Sequence, residues 1–224
     1  MRVADFHWSL LLSFAIVAAA QRGRAETQLP TAQHTTTLVV FADRHIPEGE
    51  WEDLLSAIRV GAAEIAKGAS AFDSPDKTKS AGASALRAGL TVVRGDTMPA
   101  GQRIDEPVVV HLHGDCKLLP RPLYVRADRL GWVKDRHGHI EPFIHVECTQ
   151  LVNMLGPMAL GMDQPRRDMV MAEAITRVIL HEWIHVATQN PGHAERGVAQ
   201  AHFGVEDLLA DDPELRANKR GKKG

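Results

Sequence analysis

What the chain lacks excludes several classes of function. Lys and Arg number 26 against 28 Asp and Glu, for a formal net charge of -2. With no excess of either sign, nothing at whole-chain level points to nucleic acid or an anionic membrane as partner. Gly-rich phosphate loops and Ser nucleophile elbows are both missing, so neither nucleotide cradling nor serine hydrolysis has its usual sequence support. No internal repeat occurs, and no low-complexity block marks a second domain. Apart from Ser9–Ala20, no run approaches the length of a membrane span, and that one is short for a permanent anchor. It follows Arg2, ends in small residues at Ala18 and Ala20 and precedes Gly23 and Ala25, the pattern of a secretory signal peptide. We therefore expect a signal over residues 1–25, one domain over 26–212 and a basic tail over 213–224 that includes Ala217–Gly224, "ANKRGKKG". With the signal removed, no membrane association is expected.

Cysteine is scarce as well. Cys116 and Cys148 are the only two. Neither belongs to a CxxC pair, which argues against a thiolate metal site. In an oxidising compartment they are expected to form one disulfide; two buried free thiols are the alternative.

The remaining pattern mixes strands and helices. Thr35–Asp43 is β-branched and apolar and reads as a buried strand. Trp51, Leu54, Leu55, Ile58, Ala62 and Ile65 recur at helical spacing after Pro47, giving an amphipathic helix with an acidic first turn. Residues 68–84 read as a loop. "GLTVVRG" and "EPVVVHLHG" are further strands, and the chain up to Cys148 looks extended, with a tight turn around Asp135–Gly138. A short helix near Thr149–Leu155, a loop through "GPMALGMDQPRRD" and a long helix from about Asp168 to Gln189 follow. Asn190-Pro191-Gly192 ends the long helix, because proline cannot continue it. "GVEDLLADD" reads as a last short helix. The order implies an α+β or mixed α/β fold, and α+β is the expectation: one mixed sheet of about four to five strands, packed by an N-terminal helix and the long helix.

The long helix contains His181, Glu182, Trp183, Ile184 and His185. Positions i and i+4 share a helix face, so both imidazoles can reach one Zn²⁺ at about 2.0–2.1 Å. Glu182 lies one residue round, placed to take a proton from a water activated there and pass it to a leaving amine. A glutamate inside an otherwise apolar stretch is costly unless paired or functional. A catalytic zinc needs a third protein ligand and an open position. His193, just past the helix breaker, is the first candidate and Glu206, 21 residues beyond His185, the second. If His193 ligates, Glu206, Asp207 or Asp211 is available to orient a ligand imidazole.

On His181, Glu182 and His185 the chain resembles the zincin metallopeptidases, whose signature is HExxH. It is also similar to a group of secreted bacterial HExxH proteins through "LGWVKDRHGHIEPFIHVEC" before the motif and "GVAQAHFGVEDLL" after it. The resemblance implies a zincin-like fold, Zn²⁺ as cofactor and a peptide or protein substrate, which it does not name. It leaves the oligomeric state unknown. In metzincins the signature extends to HExxHxxGxxH with a later Met-turn. Here Thr188 and Pro191 stand at the Gly and third-His positions, and no Met follows Met171. In gluzincins the third ligand is a Glu about twenty residues on, where this chain has Glu206. The zincin likeness further implies that "HIEPFIHVEC" is an edge strand lining the cleft, with His145 facing it.

Other histidines read more blandly. His111 and His113 share one face of a strand and are expected to be surface or edge-strand residues, although such a pair can bind metal. His202 is a candidate oxyanion donor, Tyr124 a catalytic candidate, and Arg94–Asp96 ("RGD") a strand-to-turn coincidence. The function expected is zinc-dependent peptide hydrolysis. The alternatives are a secreted binding or structural protein with a vestigial or stabilising metal site, and a metal-free protein with a coincidental motif.

Overall fold

The computed structural model describes residues 35–68, 84–104, 107–121, 129–194 and 197–210. The expected signal peptide, the basic tail, most of the 68–84 loop, Asp211 and Tyr124 lie outside the described residues. All described residues belong to the compact unit that begins at His34.

The strands and helices are β1 (Thr36–Ala42), α1 (Glu48–Gly68), a short helical turn α2 (84–88), β2 (Leu90–Arg94), β3 (Pro107–His113), β4 (Gly131–Trp132), β5 (Asp135–Arg136), β6 (His139–Ile140), β7 (Phe143–Glu147), α3 (Cys148–Leu155), α4 (Gln164–Thr188) and α5 (Val205–Leu208). Five strands form a mixed sheet in the order β2-β1-β3-β7-β4. The first four run parallel, and β4 runs antiparallel at the edge. The fold is α+β, as the sequence implies.

Alternation of side chains decides which face meets the helices. Leu38 and Val40 on β1, Val108, Val110 and Leu112 on β3, and Ile144 and Val146 on β7 are buried and in register across the parallel ladders. They pack with Leu54, Ile58 and Ala62 of α1 and with Val170, Ala174, Val178 and Trp183 of α4 in one core. The two helices approach closely at Gly61, where an added Cβ would stand 2.5 Å from Leu180 Cδ1. Phe41, His111, His145 and Trp132 pair across neighbouring strands on the opposite face.

One helix boundary and the identity of the edge strand differ from the sequence reading. Helix α4 starts at Gln164, inside the segment expected to be a loop. Asp163 caps it, its side chain accepting from the Arg166 N–H at 3.0 Å, and Pro165 sits in the first turn. Proline there loses no hydrogen bond, because first-turn N–H groups have no helical partner. The other correction concerns the edge. β7 pairs on both sides and is interior, so the antiparallel edge strand is the two-residue β4. β3, carrying His111 and His113, is the middle strand and not an edge.

The tight turn expected near Asp135–Gly138 joins β5 to β6, with positive φ at His137 and Gly138. Gln189, in the left-handed conformation at the end of α4, fixes this hairpin. Its amide accepts from Ile140 N–H at 2.9 Å and donates to Ile140 O at 3.0 Å. Cys116 and Cys148 form a disulfide joining the chain beyond β3 to the chain beyond β7, and such bonds persist in oxidising, non-cytosolic compartments. Among the described residues no helix is long and apolar enough to cross a membrane.

Candidate metal centre

His181, Glu182 and His185 lie in the most buried stretch of α4, each about 5–6% exposed. The apolar residues around them seat the helix: Val178, Ile179, Leu180, Trp183 and Ile184 are all buried. Beyond the helix the chain doubles back, and its backbone grips both imidazoles. His181 Nδ1 donates to Val198 O at 2.7 Å, and His185 Nδ1 donates to Asn190 O at 2.6 Å. A carbonyl can only accept, so each Nδ1 carries the proton. In the neutral rings each Nε2 is then a bare lone pair, and these two atoms face each other at 3.1 Å. Two acceptors at that distance repel unless a shared proton or a metal ion lies between them. Burial pushes the His181 imidazole down to about 4, partly offset by the Val198 bond and reinforced by His185 and His193. A proton is thus disfavoured on His181 at neutral pH, and the lone pair is free for a metal.

His193 completes the group. Its ring stacks on His181 (5.3 Å between centroids) and meets His185 edge-on at 4.8 Å. One ligand nitrogen from each of the three lies within 4.8 Å of the others, so the trio is able to hold a metal ion. His193 is exposed where the other two are buried, so the group opens to solvent on that side. Desolvation, then the charges of His185 and His202, lower the His193 ring below its ordinary value. Glu206, the other candidate third ligand, is exposed on α5 and belongs to no such group among the described residues. His202 is exposed and bonds the neighbouring Ala201 carbonyl through Nδ1.

The Glu182 carboxylate lies 4.0 Å from His181 Nε2. Burial pushes its pKa up to about 7, against the pull of the Arg129 guanidinium. A carboxyl so poised both takes and gives a proton near neutral pH. The edge strand comes right up to it. A Cβ on Gly131 would stand 2.4 Å from Val178 Cγ1, 3.1 Å from His145 O and 3.3 Å from Glu182 Cγ. Only glycine lets β4 lie this close to the helix.

His145 does not face this centre. It lies on the opposite face of the sheet with His111 and His113, and these three form a second group able to hold a metal ion. His137 and His139 stay on the exposed hairpin. Arg94 and Asp96 of "RGD" pair with each other at 2.8 Å, and Arg94 also bonds Glu48 and lies over Trp51, which makes the tripeptide a structural tie. A groove of about 1010 Å³ between α1 and α4 is lined by Val60, Ile65, Met169 and Ala172 among others, with no histidine among the described residues that line it.

The sequence reading missed the Val198 and Asn190 carbonyls, Gly131, Arg129 and Trp132. The carbonyls carry no side-chain signal. Gly131 was visible only as a glycine in an extended stretch. Comparison with known proteins finds no matching family model, no matching curated protein and no matching solved structure.

Proposed function

We propose that the chain is a secreted zinc-dependent peptidase of the zincin type. In this reading His181, His185 and His193 hold Zn²⁺, and Glu182 is the general base. The observation that carries it is the pair of Nε2 lone pairs 3.1 Å apart, each fixed from behind by a backbone carbonyl and set beside a buried carboxyl. Such outer hydrogen bonds are the usual means of fixing a ligand imidazole's tautomer. A zinc ion held there supplies Lewis acidity toward water and toward a scissile carbonyl.

The chain's own residues do the rest. Glu182 takes a proton from the attacking water as its oxygen bonds the carbonyl carbon. It then gives that proton to the amide nitrogen as the C–N bond breaks. The role that the zincin resemblance assigns to an edge strand passes from β7 to β4. An extended peptide would add to β4, the edge strand among the described residues, by main-chain hydrogen bonds next to Glu182. A purely stabilising zinc site is closed by four protein ligands; the opening at His193 favours catalysis over that alternative. The putting of the disulfide in an oxidising compartment, together with the N-terminal sequence, supports secretion.

The test is Glu182→Gln against a mixed peptide library, with products read by mass spectrometry. The variant keeps its zinc and loses turnover by several orders of magnitude. Cleavage at the wild-type rate would overturn the mechanism.

A further inference from the structure

We infer that the open face of the sheet carries a second metal site, in which His111, His113 and His145 bind a divalent transition metal ion beneath Trp132. It does not depend on the peptidase reading, because it uses none of the same residues and lies on the other side of the sheet.

The residues reach one point through strand geometry. His111 and His113 are two apart on β3 and so share a face. The parallel register sets His145 of β7 directly beside His111, and the antiparallel register sets Trp132 beside His145. One ligand nitrogen from each histidine lies within 4.8 Å of the others. His113 Nε2 and His145 Nδ1 are 2.9 Å apart, with ring planes within 15° of each other. The His111 ring stands at 82° to His113 and 68° to His145, approaching from a separate direction.

Two further contacts are those of a supported ligand set. Asp43 Oδ2 lies 3.3 Å from His113 Nδ1 and 3.4 Å from the Gly114 N–H. A carboxylate there holds the proton on Nδ1 and aims the Nε2 lone pair into the cluster, the carboxylate–histidine–metal arrangement. Above the rings, Trp132 stacks on His113 (5.5 Å between centroids, 9°) and on His145 (4.8 Å, 11°), and Arg129 lies over the indole at 5.7 Å. The indole shields one side of the two rings from water.

The donor set selects the class of ion. Three imidazoles without thiolates suit zinc, copper or nickel, whereas calcium and magnesium take oxygen ligands. The site has a structural consequence: Trp132 and Gly131 are the whole of β4. A metal that orders the rings under Trp132 also fixes the strand that touches Glu182.

Zn²⁺ uptake by equilibrium dialysis of the full chain tests this. Four proteins are compared: wild type, His111→Ala with His145→Ala, His181→Ala with His185→Ala, and the combination. The expected uptake is two equivalents, one, one and none. Asp43→Asn should weaken the sheet site about 10–100-fold and leave the helix site unchanged. Where the alanine pair fails to fold by circular dichroism, His111→Gln alone replaces it. Copper(II) added to the helix-site variant should quench part of the tryptophan emission, and Trp132→Phe should abolish that part. The inference is overturned if wild type binds a single equivalent that the helix variant loses. It is equally overturned if the sheet variant still binds two equivalents. A hydrogen-bonded His113–His145 pair with no metal would give the first of these results.

Discussion

Gly131 of the edge strand and Glu182 of the long helix are in direct apposition: a Cβ on the glycine would stand 3.3 Å from Glu182 Cγ and 2.4 Å from Val178 Cγ1. The distance between edge strand and candidate base is therefore set by the absence of a side chain. Gly131→Ala should push β4 off α4. We expect a loss of about 1–3 kcal/mol in stability, the usual cost of overpacking. We also expect reduced peptide hydrolysis with zinc affinity at the helix unchanged, since the three atoms nearest a Cβ there belong to Val178, His145 and Glu182 and to none of His181, His185 and His193. Steady-state kinetics beside zinc titration checks it; unaltered hydrolysis would mean that the strand's approach does not matter.

Two buried groups on successive residues make the metal-free chain respond to pH in opposite senses. His181 is depressed from 6.5 to about 4, so it contributes stability that is present above 6.5 and lost as pH falls toward 4. Glu182 is raised from 4.5 to about 7, so it contributes stability that is present below 4.5 and lost as pH rises through 7. Between those values the slopes oppose. Metal-free Glu182→Gln should therefore lose stability on acidification from pH 6.5 to 4 more steeply than metal-free wild type. The difference is a few kcal/mol, at about 1.4 kcal/mol for each tenfold in proton affinity. Urea midpoints across that range measure it, and parallel curves for the two proteins would contradict the assignment.

The disulfide spans a sequence separation of 32 and ties together the ends of β3 and β7, the two strands that carry the sheet histidines. Loop-closure entropy for that length is worth about 4 kcal/mol, and measured losses are commonly 2–5 kcal/mol. Replacing both cysteines by serine should lower the melting temperature by roughly 10 °C, since 1 kcal/mol moves a domain of this size about 2–4 °C. A thermal scan of the two forms decides it; equal melting temperatures would show that the crosslink does not limit unfolding.

How much of this was legible in the sequence depended on whether the signal was local. The 3.6-residue period of Trp51, Leu54, Ile58 and Ala62 announced α1, and the i, i+4 spacing of His181 and His185 announced the shared face on α4. Asp163-Gln164-Pro165 looked like loop because proline reads as a breaker, although in the first turn it starts a helix. β4 has two residues, too few to show any period, so the edge role went to β7. The pairing of His111 with His145 needed the register between strands far apart in sequence, which no local pattern encodes. The carbonyls of Val198 and Asn190 belong to every residue alike, so their grip on the imidazoles could come only from coordinates.

In the proposed peptidase a metal sits on α4 between His181 and His185. Diffraction from crystals of the zinc-loaded chain, collected on both sides of the zinc absorption edge, tests it most directly. We expect an anomalous peak at bonding distance, about 2.0–2.1 Å, from Nε2 of His181 and Nε2 of His185, with His193 as the third protein ligand. No peak between those two nitrogens, at full zinc loading, would contradict it.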